Sequence, residues 1–347
     1  MSRDRTGRSP RRPRSLGRLG LADGRLGRLA LAATTVTALL ASASGCVVVH
    51  GEREVVPATT RAEAARALRE FTDAYNKADA TYDRSKDADR VTGPLADIDG
   101  AKLKAGHAAK PAGNPTHSAL EFDDAEFSIP AKAGWPRWFV ANATANKGLS
   151  GSRWLLVFTR DNAREKWQAS YLTVLGAGDV PEFAKDGSGW ARPVAADDAA
   201  LAIEPRKLGR SYATYLKDGG DTFAAGVHTS QWRAQREKFA SRPGLARQYI
   251  DQPLTSGDYA PVGLRTADGG ALVFFATHRF EKETAAAGTE IPSPSAEVQA
   301  LTTGEINQSL TLEFVSNQVV LDPPKGSGRG QVSVLGRVEG LTGAKGE

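Results

Sequence analysis

The sequence predicts an α+β protein built as two tandem units, each with N-terminal helices packed on one face of a curved antiparallel sheet. Three observations carry this. Apolar spacing changes from about 3.6 residues to about 2 near residue 115, a segment rich in Gly, Pro, Asp and Ala follows at 177–205, and the helix-then-strand order then restarts. About 300 residues follow the N-terminal leader, a length that suits two domains of roughly 150.

Residues 1–45 read as an export signal. Nine arginines precede the uncharged 15-residue run Leu29 to Ala43, which matches the roughly 7–15 apolar residues of a signal-peptide core and falls short of the roughly 20 of a spanning helix. Ala43, Ser44, Gly45 and Cys46 resemble a lipobox, where small residues precede a cysteine that is acylated and becomes the new N-terminus. That resemblance implies a membrane-lipid anchor at Cys46, the only cysteine, on the outer face of the cytoplasmic membrane. Two alternatives stand beside it. Ala41-Ser42-Ala43 offers an ordinary cleavage site that would release a secreted protein, and an uncleaved run would leave a signal anchor. Arg11-Arg12 lacks the apolar pair that twin-arginine export requires, because Pro13 and Arg14 follow it.

The leader also carries the basic charge. Nine of the 45 Lys+Arg and two of the 40 Asp+Glu lie before the run, leaving 36 against 38 from Cys46 onward, a net of −2. Divided near Pro205, the halves carry −3 and +1. Neither has the basic face of a nucleic-acid binder, and none is expected as a partner.

Residues 46–58 read as a lipidated tether, and 59–176 as the first α+β domain. Thr60 with Glu63 forms a capping box. Ala64, Ala67, Leu68, Phe71, Ala74 and Tyr75 then recur along one helical face. One or two short helices are expected around Leu95 to Leu103, after Gly93-Pro94. Strands follow at Leu120–Phe122, Phe127–Ile129, Trp138–Ala145, Arg153–Arg160 and Trp167–Val174, rich in aromatic and β-branched residues.

Residues 177–205 read as linker or crossover, 206–342 as the second domain and 343–347 as a tail. Tyr212, Tyr215 and Leu216 open a helix, Ser230 is placed to cap another, and strands are expected at Leu272–Phe280, Leu310–Val315 and Val332–Val338. The repeated order predicts an internal duplication. The arrangement resembles the nuclear-transport-factor-two-like, or cystatin-like, cone fold in tandem. Through Trp135-Pro136-Arg137-Trp138-Phe139-Val140-Ala141 and Trp154-Leu155-Leu156-Val157-Phe158, the chain also resembles an exported lipoprotein family of high-GC Gram-positive bacteria. The resemblance implies an address and a fold without a reaction.

No catalytic or metal site is expected. His50, His107, His117, His228 and His278 show no ligand-spaced pair, no G-x-S-x-G elbow occurs, and the single thiol is assigned to lipid. Glycines 326, 328 and 330 lie between Pro323-Pro324 and a Val-rich strand, which suits a hairpin loop better than a phosphate cradle. Asp123-Asp124 and Asp197-Asp198 lack calcium-loop spacing. Trp135, Trp138, Trp154 and Trp167 crowd one strand-rich segment, either as core or as the lining of a ligand pocket. The expectation is a cofactor-free, non-enzymatic, anchored binding or scaffold module meeting an envelope protein, peptide or glycan. The alternative is a small-molecule-binding or enzymatic cone with a Trp-lined pocket.

Overall fold

Helix α1 (Arg61–Thr81) starts where its capping chemistry dictates. Thr60 Oγ1 accepts from the Glu63 N–H at 3.1 Å. The Glu63 carboxylate instead turns outward to Thr59 Oγ1 at 2.7 Å and Trp167 Nε1 at 3.0 Å, fastening the helix start to the sheet beneath. The computed structural model describes residues 54–328 and 330–347, so the leader and Cys46 lie outside the described residues. No helix among the described residues is long and apolar enough to cross a membrane.

Tyr82 ends α1 in the left-handed region, and a turn at 84–86 leads to α2 (Gly93–Ala109), one continuous helix with Pro94 in its first turn. Four strands follow: β2 (Phe122–Ser128), β4 (Arg137–Ala145), β5 (Ser152–Arg160) and β6 (Gln168–Gly176). They form an antiparallel meander in that order, while the two-residue β1 (Val56–Pro57) pairs with β3 (Ala131–Lys132).

The second half has α3 (Leu208–Asp218), α4 (Ser230–Phe239), β7 (Ser241–Arg242), β8 (Leu245–Leu254), β9 (Val262–Arg265) and β10 (Ala271–Ala285). It continues with α5 (Ala296–Leu301), β11 (Thr302–Thr303), β12 (Ser309–Asp322) and β13 (Ser333–Gly346). The sheet order is β11-β13-β12-β10-β8-β7, with β9 beside β10 and β11–β13 the parallel pair. Glycines 326, 328 and 330 fall in the β12–β13 connection.

The side-chain period of 2 explains how these elements stack. Along β4 and β5, Phe139, Ala141, Leu156 and Phe158 face α1 and α2, packing on Ala64, Leu68, Phe71 and Leu95. The alternate residues Trp138, Val140, Leu155 and Val157 face the other sheet, meeting Leu272, Phe274, Ala276 and Val319. On the far side Val273, Phe275 and Val320 pack on Leu208, Tyr212 and Leu216 of α3. The layers are therefore helix, sheet, sheet, helix. Gly51–Glu347 forms one compact unit, and residues 59–176 and 206–342 share the core between their sheets.

This corrects the cone-like, curved-sheet units expected from the sequence. Neither sheet closes, since the strand orders run from β2 to β6 and from β11 to β7 with open ends. The space inside a cone is occupied here by the facing sheet: Leu155 is 0 %, Tyr171 1 % and Phe274 1 % exposed. Both faces of β4, β5 and the first part of β10 are apolar, so each sheet must be covered twice there.

Past the apolar part of α3, the helix side of the second sheet turns ionic. Arg279 on β10 donates to Glu281 Oε2 at 2.5 Å and to Glu339 Oε1 on β13 at 2.8 Å. Arg236 on α4 grips both oxygens of Asp251 on β8, at 2.5 and 2.9 Å. Trp232 lies among three guanidinium groups, Arg337, Arg236 and Arg279, at 4.2, 5.0 and 5.5 Å from its ring. Arg236 and Arg279 are buried.

One glycine tests the packing of α2. A methyl group at Gly106 would overlap the Tyr82 ring. Gly to Ala inside a helix ordinarily stabilises by about 1 kcal/mol. Here Gly106→Ala is expected to lower stability by about 1–2 kcal/mol as the ring is displaced. Urea unfolding reads the sign, and a net gain would contradict this packing.

Candidate ligand cleft beside helix α2

The Asp87 and Asp99 carboxyls lie against each other in the interior, 0 % and 5 % exposed. Asp87 follows the 84–86 turn, while Asp99 lies on the buried side of α2 with Leu95 and Leu103. No protein donor reaches either Asp87 oxygen or Asp99 Oδ2. Two touching carboxylates with so little compensation cannot both ionise, so the pair holds a proton. Burial, then Asp99, pushes the Asp87 carboxyl up to about 8. Burial raises Asp99 as well.

Asp79 supplies the contrast. It is also buried, but Lys102 Nζ, His117 Nδ1 and Asn114 Nδ2 surround its carboxylate at 2.9, 2.8 and 3.1 Å. Burial works against its charge, yet the hydrogen bonds from His117 and Lys102 prevail and its pKa falls below the ordinary value. Asp79 is a satisfied structural anion; Asp87 is not.

The pair lines a cavity of about 240 Å³ with Arg84, Asp97, Gln168 and Tyr259. Tyr259 comes from the 257–259 turn of the second half and donates to Asp97 Oδ2 at 2.6 Å. Burial, then this bond, pushes its hydroxyl pKa up. Thr92 Oγ1 donates to Asp258 Oδ2 at 2.5 Å, closing the same junction. Arg84, Asp97 and Gly100 also border a neighbouring groove of about 550 Å³ that reaches Lys104, His107 and Leu301. Chemically the cleft offers a shared-proton carboxyl pair, a neutral phenol and one guanidinium.

The four tryptophans do not line one pocket. Trp138 packs between the sheets, and Trp167 faces α1. Trp154 stands edge-on to Phe122 at 5.7 Å between ring centroids. Trp135 is half-buried and shares Arg160 with Trp167, at 5.4 and 4.6 Å from the two rings. Trp190 borders a groove of about 720 Å³ beside β2. His278 lies 3.4 Å from Glu313, Asp124 pairs with Arg153 at 2.8 Å, and Asp198 pairs with Arg265. No group of three or more His, Cys, Asp or Glu among the described residues is arranged to hold a metal.

Sequence reasoning missed the Asp87–Asp99 pair. The one available signal was an acid at position 99, placed between Leu95 and Leu103 on the buried face of a helix.

A two-sheet α+β body defines an architecture rather than a reaction. The chain belongs to the family described as Domain of unknown function (DUF8094), whose model matches residues 55–346. It is 60 % identical to "Uncharacterized lipoprotein SCO2278" of Streptomyces coelicolor, over all of both chains. It is equally similar, 60 % over all of both chains, to an "Uncharacterized lipoprotein" of Streptomyces avermitilis. Identity to "Uncharacterized lipoprotein SCO6871" of Streptomyces coelicolor is 26 %, covering 78 % of each chain. No solved structure matches. All three of these relatives are Streptomyces proteins described as lipoproteins, so the chain belongs with a lipoprotein family of that genus.

Proposed function

We propose that the chain is a lipid-anchored, extracytoplasmic binding module without catalytic activity, held by acylated Cys46 on the outer face of the cytoplasmic membrane. It recognises its partner in exterior clefts, foremost the one beside α2. The observation that supports this is the filled space between the sheets, where Tyr171 and Phe274 occupy the volume a hollow cone would offer. The repeated helix-helix-meander order of the two halves supports an ancestral duplication. A second reading, acid–base chemistry on a small substrate, is favoured only by the carboxyl pair lining the 240 Å³ cavity.

Fractionation tests the anchor. The wild-type protein is expected in the membrane fraction and Cys46→Ala in the soluble one, because two or more acyl chains hold firmly whereas one is marginal. Equal aqueous partition of both would end the proposal.

A further inference from the structure

We propose that the cavity beside α2 is a binding site for a primary ammonium group, which enters between Asp87 and Asp99 in exchange for their shared proton. Three carboxyl oxygens there lack any protein donor: both oxygens of Asp87 and Oδ2 of Asp99. One shared proton links two of them, so at least one buried acceptor stays unsatisfied, which is costly. Charge points the same way. Asp87, Asp97 and Asp99 face the cavity against Arg84 alone, so the lining remains anionic even with one proton bound.

The cavity favours an organic cation over a bare metal ion. Asp87, Asp97 and Asp99 share the lining, yet no three His, Cys, Asp or Glu among the described residues are arranged to hold a metal ion. The volume of about 240 Å³ is several times the roughly 30 Å³ that one water occupies in the liquid. An ammonium group carries three N–H donors at tetrahedral angles, enough to satisfy both aspartates and one further acceptor. In the exchange the carboxyl O–H of the pair gives its proton to solvent buffer, and the ammonium N–H groups take its place with no other bond made or broken. Nearby Lys102 is itself an ammonium, but it is engaged with Asp79 at 2.9 Å and does not border the cavity.

The inference deepens the reading of the α2 cleft as a recognition site. It is tested separately from the anchor, by calorimetry on the purified wild-type protein with methylammonium and 1,4-diaminobutane as probes. Runs in two buffers of different ionisation heat count protons. Binding is expected at pH 7 with release of roughly one proton per amine. Asp99→Asn is expected to weaken it about 10- to 100-fold and to abolish the proton release, as losing a charged hydrogen-bond partner does. Asp87→Asn provides a second variant with the same expected loss of proton release, its fold checked by circular dichroism. Asp123→Asn, on the exposed β2 surface, should bind as the wild type does. No binding at about 10 mM amine, affinity unchanged in Asp99→Asn, or tighter binding of calcium chloride than of either amine would each overturn the ammonium site. Membrane partition of the wild type would then still stand.

Discussion

Asp87→Asn is expected to make the protein more stable at pH 8.5 by about 2–5 kcal/mol, while leaving stability at pH 5 within about 1 kcal/mol of wild type. The Asp87 carboxyl is pushed up from 3.8 to about 8 on folding, chiefly by burial and then by Asp99. An acid whose pKa rises on folding is stabilised by the proton it keeps. That contribution is complete below the unfolded value near 4 and disappears as pH climbs through 8. The full interval would exceed 5 kcal/mol, but the pair lines a cavity that water can enter, so screening removes a share. Arg84, Lys102, Asp79 and Asp97 also face the pair and set where the loss is centred. An asparagine keeps the shape, donates to Asp99 and has no proton to lose. Urea unfolding at the two pH values reads the difference; equal destabilisation at both would show that no proton is shared.

Glu339→Gln is expected to cost about 3–5 kcal/mol at pH 7, the usual result of removing one partner from a buried ion pair. Glu339 lies on β13 with Arg279 bonded to it, and Arg337 comes within 3.8 Å. Burial opposes its charge, yet Arg337, Arg279 and Arg236 outweigh burial and hold its pKa below the ordinary range. A lowered acid stabilises above its unfolded value near 4.5 and ceases to do so as pH falls through the folded one. Wild type and Glu339→Gln should therefore converge in strong acid. The paired change Arg279→Met with Glu339→Leu is expected to recover most of the loss at pH 7, since it removes both charges together. Thermal melts of the wild type and the two variants decide it. A single substitution costing under about 1 kcal/mol would make the network a surface feature.

Helix α1 could be read from the sequence because its cap and its Ala64-to-Tyr75 stripe are local. Strands β4, β5, β6, β10, β12 and β13 declared themselves by aromatic and β-branched content, though β10 and β12 run longer than their apolar parts. Strand β8 was missed for an instructive reason. Its more buried positions include Arg247, Tyr249 and Asp251, so the alternation that normally marks a strand is ionic rather than apolar. The lower part of β10, with Arg279, Glu281 and Glu283, hides in the same way. The open, doubly covered sheets were written in Leu155–Phe158 and Leu272–Ala276, where no polar residue alternates. Such runs state that both faces are buried, but they do not name what covers the second face. The carboxyl pair was out of reach because eleven residues, a turn and the first third of a helix separate its members.

The apolar seam between the sheets has a genealogical consequence. If the halves descend from one ancestor, each has since become the other's lid, and neither can drift alone. Enlarging Val140 or Leu155 on one side demands a smaller neighbour at Leu272 or Val319 on the other. The Leu172 N–H, bonded to the Asn317 amide oxygen at 3.2 Å, adds a polar peg to that seam. Divergence among relatives should accordingly appear as matched exchanges across the seam, with position 317 the least free to vary.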